Sequence, residues 1–149
     1  MKTKWLMVIG GVVLGGCVMT KNLNQTMVTL TPSPTVSVSP MPTKTVELLE
    51  QSKSGMNGKV AFVDEGDKTR VTITLSGKGI IGPLPAHVHS GSCPNVGVIK
   101  FPLNDVKNGS SDTMINIRMS DLFGSNPMAV NVHKSVQEAT IYTACGDLK

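Results

Sequence analysis

Only three histidines occur in the 149 residues, His87, His89 and His133. Imidazole is the side chain that serves both as a metal ligand and as a proton carrier near neutral pH. Two of the three stand one residue apart in Ala86-His87-Val88-His89. In a strand the side chains at i and i+2 leave the same face, so this pair can converge on one ion without a special loop. By itself a His-x-His pair is equally the pattern of two strand histidines satisfied by ordinary hydrogen bonds. His133 closes the alternating run Ala129-Val130-Asn131-Val132-His133, which places Ala129, Asn131 and His133 on one face and the two valines on the other. A neighbouring strand could then add a third imidazole. Three nitrogens suit copper, zinc, iron or nickel, and among divalent ions affinity peaks at Cu(II), so this donor set favours copper and leaves zinc open. No residue beyond these ligands is singled out as catalytic.

The three cysteines divide into one and two. Lys2 and Lys4 precede an apolar run from Trp5 to Gly16, which ends in Leu14-Gly15-Gly16-Cys17. The run is too short for a membrane span, which needs about 20 apolar residues, and reads as the core of a signal peptide. Small residues before a cysteine resemble the bacterial lipobox, so residues 1–17 are expected to be a lipoprotein signal with Cys17 as the lipidated residue. A plain secretory signal with an incidental cysteine is the other reading. Two acyl chains would anchor the protein stably to a membrane, in the cell envelope and facing the extracytoplasmic side. Cys93 and Cys145 then remain in a compartment where disulfides persist. A bridge between them would stabilise the domain by about 4 kcal/mol in the loop-entropy model, and two buried free thiols are the alternative.

Residues 18–45 are rich in Thr, Ser and Pro, with Pro32, Pro34, Pro40 and Pro42 spaced through them. Such a segment buries too little apolar surface to offset its ordering entropy, and a flexible stalk is expected. Lys2, Lys4, Lys21 and Lys44 lie ahead of residue 46, so the ten basic residues that follow meet ten acidic ones and the domain at 46–149 is formally neutral. A nucleic-acid surface is not expected from that balance. Of the nine methionines, Met56, Met114, Met119 and Met128 fall in the domain and are read as core fillers.

The histidines need strands to carry them, and the domain supplies strand patterns throughout. Lys59 to Val63, the turn Asp64-Glu65-Gly66-Asp67, and Thr69 to Leu75 predict a β-hairpin. Ala86 to His89, Met114 to Met119, Met128 to His133 and Ala139 to Ala144 predict further strands, with Lys107-Asn108-Gly109-Ser110 as a turn between them. Only Glu47 to Lys53 and Ser120 to Phe123 read as briefly helical. Regular short strands predict an all-β Greek-key sandwich or barrel of about seven or eight strands.

Four pieces, Gly82-Pro83-Leu84-Pro85-Ala86-His87-Val88-His89, Gly91-Ser92-Cys93, Val130-Asn131-Val132-His133-Lys134-Ser135 and Ala144-Cys145-Gly146-Asp147, occur in an order that resembles the copper/zinc superoxide dismutase family over about residues 56–148. The set is also similar to bacterial chordin-type (CHRD) domains, which share the His-x-His strand and the later Val-x-Val-His strand. The resemblance implies an immunoglobulin-like superoxide dismutase fold, with His87, His89 and His133 on three of the family's four copper ligands and Cys93 with Cys145 on its disulfide. The family's fourth copper ligand, a histidine bridging to zinc, is missing from Gly97-Val98-Ile99-Lys100-Phe101-Pro102-Leu103. The zinc loop is missing too, so zinc is not expected. Tyr142 stands where the family has an arginine that draws in the anionic substrate. Lys134 is a conceivable substitute, although a solvated lysine at a strand end is the plainer reading. Together, the lipobox and the resemblance imply a lipid-anchored copper protein with superoxide as a candidate substrate. A non-catalytic copper-binding domain and a CHRD-like adhesion domain are the alternatives.

Overall fold

The protein is described here by a computed structural model that covers residues 40–80 and 82–149. The signal and lipobox expected at 1–17, with Cys17, and the stalk as far as residue 39 lie outside the described residues. Eight segments are strands: β1 (Thr43–Glu50), β2 (Met56–Asp64), β3 (Thr69–Gly77), β4 (Ala86–Gly91), β5 (Val96–Pro102), β6 (Ser110–Ile115), β7 (Met128–His133) and β8 (Tyr142–Leu148). A single helical turn, α1 (Met119–Leu122), is the one helix among the described residues.

The β2–β3 hairpin forms where its alternation predicts. Val60 faces Ile73 and Phe62 faces Val71 across the pair, and all four are fully buried. Burying each such side chain contributes about 1.5–3 kcal/mol. The turn is closed by Gly66, whose φ of 86° lies in the left-handed region, and its N–H donates to Asp64 Oδ1 at 2.8 Å. At the other predicted turn, Asn108 and Gly109 both have positive φ between Lys107 and Ser110, which bond to each other.

All pairings are antiparallel, in the order β5-β4-β7-β8-β1-β2-β3-β6. The sheet is all-β and curled, and β1 is its hinge. Residues Thr43 to Leu48 pair with β2, whereas Leu49 and Glu50 pair with Cys145 and Ala144 of β8. The connections β3–β4, β5–β6 and β6–β7 cross from one half to the other, which gives the Greek-key sandwich or barrel expected. One core fills the interior, with Leu48, Val60, Phe62, Val71 and Ile73 from one half and Ala86, Val88, Val130, Val132 and Ala144 from the other.

Four local expectations need correction. Glu47 to Lys53 is not helical: it continues β1 to Glu50 and then turns, with Ser52 and Lys53 at positive φ. Pairing with two neighbours, and burial of Leu48 while Leu49 stays exposed, override the helical preference of Glu-Leu-Leu-Glu. The strand also begins at Thr43, so Thr43 to Thr45 belong to β1. The strand expected at Met114 to Met119 ends at Ile115, and the one expected from Ala139 starts at Tyr142. An eighth strand, β5, lacks alternation because it is an exposed edge strand, with Val98 and Ile99 facing solvent.

Where β1 crosses β8, a Cβ on Gly146 would run into the Glu47 carbonyl oxygen, a backbone atom that cannot move aside. Gly146→Ala is therefore expected to lower stability by about 1–3 kcal/mol. Gly66→Ala, with open space around it but a positive φ, should cost about 1 kcal/mol. Urea denaturation midpoints of the two variants measure the difference, and equal losses would contradict the crossing.

Candidate metal centre

β7 buries both of its faces, and β4 buries its core face fully and the other in part. Ala86, Val88, Val130 and Val132 point into the core, so His87, His89, Asn131 and His133 share the opposite face. The register sets His87 opposite Asn131, and Asn131 opposite Cys145 of β8. Irregular pairing follows Val88 on the β5 side and Val132 on the β8 side, immediately before His89 and His133. Such bulges re-aim a side chain, and here they fall at two of the three imidazoles.

One nitrogen from each ring lies within 4.8 Å of the others. Ring centroids are separated by 5.6 Å for His87 and His89, 4.9 Å for His87 and His133, and 5.7 Å for His89 and His133. The outer nitrogens identify the tautomers. His89 Nδ1 is 2.9 Å from the Gly97 carbonyl, and His133 Nδ1 bonds the Ala139 carbonyl. A carbonyl only accepts, so each Nδ1 carries the proton and each Nε2 presents a lone pair inward. His133 Nε2 lies 2.9 Å from His87 Nδ1, which donates to it in the metal-free protein. His89 Nε2 is buried and has no hydrogen-bond partner among the described residues. A buried acceptor left unpaired is costly, and a cation held by the three inward nitrogens would satisfy it. The donor set therefore fits a metal ion.

Burial holds His87 below the ordinary imidazole value of 6.5, with His133 and His89 adding to the depression and the Asp105 carboxylate opposing it. Burial likewise lowers His133, against the hydrogen bond to Ala139, and His89 adds to the lowering. Neutral imidazole is the form that binds metal, so the site is ready to receive one at neutral pH.

Cys93 and Cys145 are disulfide-bonded, with Cα atoms 5.9 Å apart. The bridge, and the Cys93 N–H donating to Asp147 Oδ1 at 2.7 Å, tie the β4–β5 loop onto β8. That loop leads into Gly97, whose carbonyl orients His89. Tyr142 packs edge-on against His133, with ring centroids 5.2 Å apart. Lys134 is paired with Glu138 at 2.8 Å, both about half exposed, so it offers the centre no free charge. The orienting carbonyls of Gly97 and Ala139 carry no sequence signal, because any residue type supplies one.

Two outcomes follow from this arrangement. Replacing both bridged cysteines by serine should cost about 4 kcal/mol for a closed loop of 52 residues, measured by denaturant unfolding against the oxidised protein. For the metal-free protein, His87 and His133 bind protons less readily folded than unfolded. Their contribution to stability is complete above pH 6.5 and is lost as pH falls through the depressed folded values. Melting temperature should therefore fall on acidification below 6.5, and less steeply in His87→Ala; parallel curves for the two proteins would refute the assignment.

Comparison with protein-family models, with curated proteins and with solved structures found no match to this chain.

Proposed function

We propose that this chain is an exported lipoprotein, held at the cell envelope through Cys17, whose superoxide dismutase-like domain binds copper through His87, His89 and His133. The observation that carries the reading is the convergence of three imidazole nitrogens within 4.8 Å, with the buried His89 Nε2 unpartnered among the described residues. Copper is preferred over zinc because an all-imidazole set binds Cu(II) most tightly among the divalent ions. When bound, copper supplies one-electron chemistry by passing between its Cu(II) and Cu(I) states.

The chain's own residues do the rest. Gly97 and Ala139 fix two rings through their carbonyls, and the disulfide holds the loop that carries the first of these. To hold a metal through Nδ1, His87 would carry its proton on Nε2 and give up its hydrogen bond to His133. His87 is only partly buried, which favours superoxide dismutation as a second reading. Against turnover stand Tyr142 in place of a cationic side chain and the neutralised Lys134.

Titration of the oxidised, metal-free chain with Cu(II), read by electron paramagnetic resonance, is expected to show one tight site with three nitrogen ligands. That site should be absent from the triple variant H87A/H89A/H133A. Weak, non-stoichiometric uptake by both proteins would overturn copper binding. Dismutation requires in addition a rate above that of the same concentration of free copper.

A further inference from the structure

Three buried side-chain atoms have no hydrogen-bond partner among the described residues: His89 Nε2, and both Nδ2 and Oδ1 of Asn131. Asn131 is fully buried. Its strand neighbours Val130 and Val132 belong to the hydrophobic core and it does not, so its carboxamide is on the face of β7 that carries His133. Across the sheet it is flanked by His87 on one side and by Cys145 on the other. All the unpaired buried polarity of the described domain is thus concentrated where the histidines converge.

Burying a carboxamide with neither end paired is strongly unfavourable, and a valine or leucine would fill a sheet interior at no such cost. Between two valines, Asn131 is the one polar choice in the middle of the strand, and it is polar toward the histidines. A carboxamide oxygen is an oxygen donor of the kind that serves copper as a weak axial ligand.

We propose that Asn131 is a fourth protein ligand of the centre, offering its buried Oδ1 from the face of β7 that carries His133. The proposal rests on the copper-binding reading of the three histidines and adds to it a donor absent from that set. The metal would satisfy Oδ1 and His89 Nε2 together.

The test uses the full chain with Cys17→Ser, so that no free thiol competes for copper, and compares it with Asn131→Leu and Asn131→Asp. Leucine keeps the size of asparagine and removes its polarity. Two effects of opposite sign are expected from Asn131→Leu: a higher melting temperature without metal, because an unpaired buried amide is gone, and a copper dissociation constant raised about tenfold or more. The parallel region of its Cu(II) resonance spectrum should shift. Asn131→Asp, with an anionic oxygen at the same place, should restore or exceed the original affinity. If Asn131→Leu binds copper with unchanged affinity and spectrum, the fourth-ligand proposal falls while the three-histidine site stands. A variant that loses stability without metal, or fails to fold, also overturns it, because the carboxamide would then be satisfied within the protein itself. Failure of the parent chain to take up copper at the histidines would end both readings.

Discussion

The antiparallel register between β4 and β7 decides almost everything else about this domain. Ala86 faces Val132, His87 faces Asn131, and Val88 faces Val130. Because side chains alternate, this one register sends two small apolar pairs into the core and brings the imidazoles together on the other face. A slip of one residue would turn the slipped strand's histidine face toward the core and its valines away from it. The hydrophobic effect therefore fixes the metal centre's geometry indirectly: the core accepts only the valine face, and the histidines are left where they converge.

The second constraint is orientation of the rings once they share a face. Two backbone carbonyls, from Gly97 and Ala139, each hold an Nδ1–H. Both belong to irregular stretches or edge strands that would be poorly fixed alone. The first is secured by the Cys93–Cys145 bridge and by Asp147 accepting from the Cys93 N–H. The other follows the loop closed by Lys134 and Glu138, and by the Glu138 N–H donating to Ser135 Oγ at 3.0 Å. Disulfide, loop and ring thus form one chain of support, and each link is short enough to transmit a displacement to the lone pair at its end.

How far the sequence displayed this depends on whether the signal was periodic. The β2–β3 hairpin, the two histidine strands and the Asn108-Gly109 turn were legible because alternation and turn chemistry are local properties. The three histidines were legible as a set for the same reason, being placed by parity on one face of each strand. β1 was not, since Glu-Leu-Leu-Glu carries a helical preference that only pairing with both β2 and β8 overrides. β5 was not, since an exposed edge strand has no inward face to pattern. The bulges at His89 and His133 and the orienting carbonyls were invisible because backbone groups leave no trace in residue identity. Asn131 was placed on the correct face from alternation, but its isolation emerges only when its neighbours are known.

The electrostatic setting bears on what the centre handles. Burial makes His87 and His133 harder to protonate than ordinary imidazoles. Lys134, next to His133 in the chain, is paired with Glu138, and the aromatic neighbour Tyr142 carries no cationic group. Asp105 is felt at His87 with the sign of a negative charge. The local field thus favours arrival of a cation over that of an anion. A centre with this field gains more from holding a metal than from drawing in superoxide, and an oxygen donor at Asn131 would strengthen the hold. Under the proposed anchoring in the cell envelope, the disulfide would persist in an oxidising compartment, and the three imidazoles it supports would stay assembled on the extracytoplasmic side.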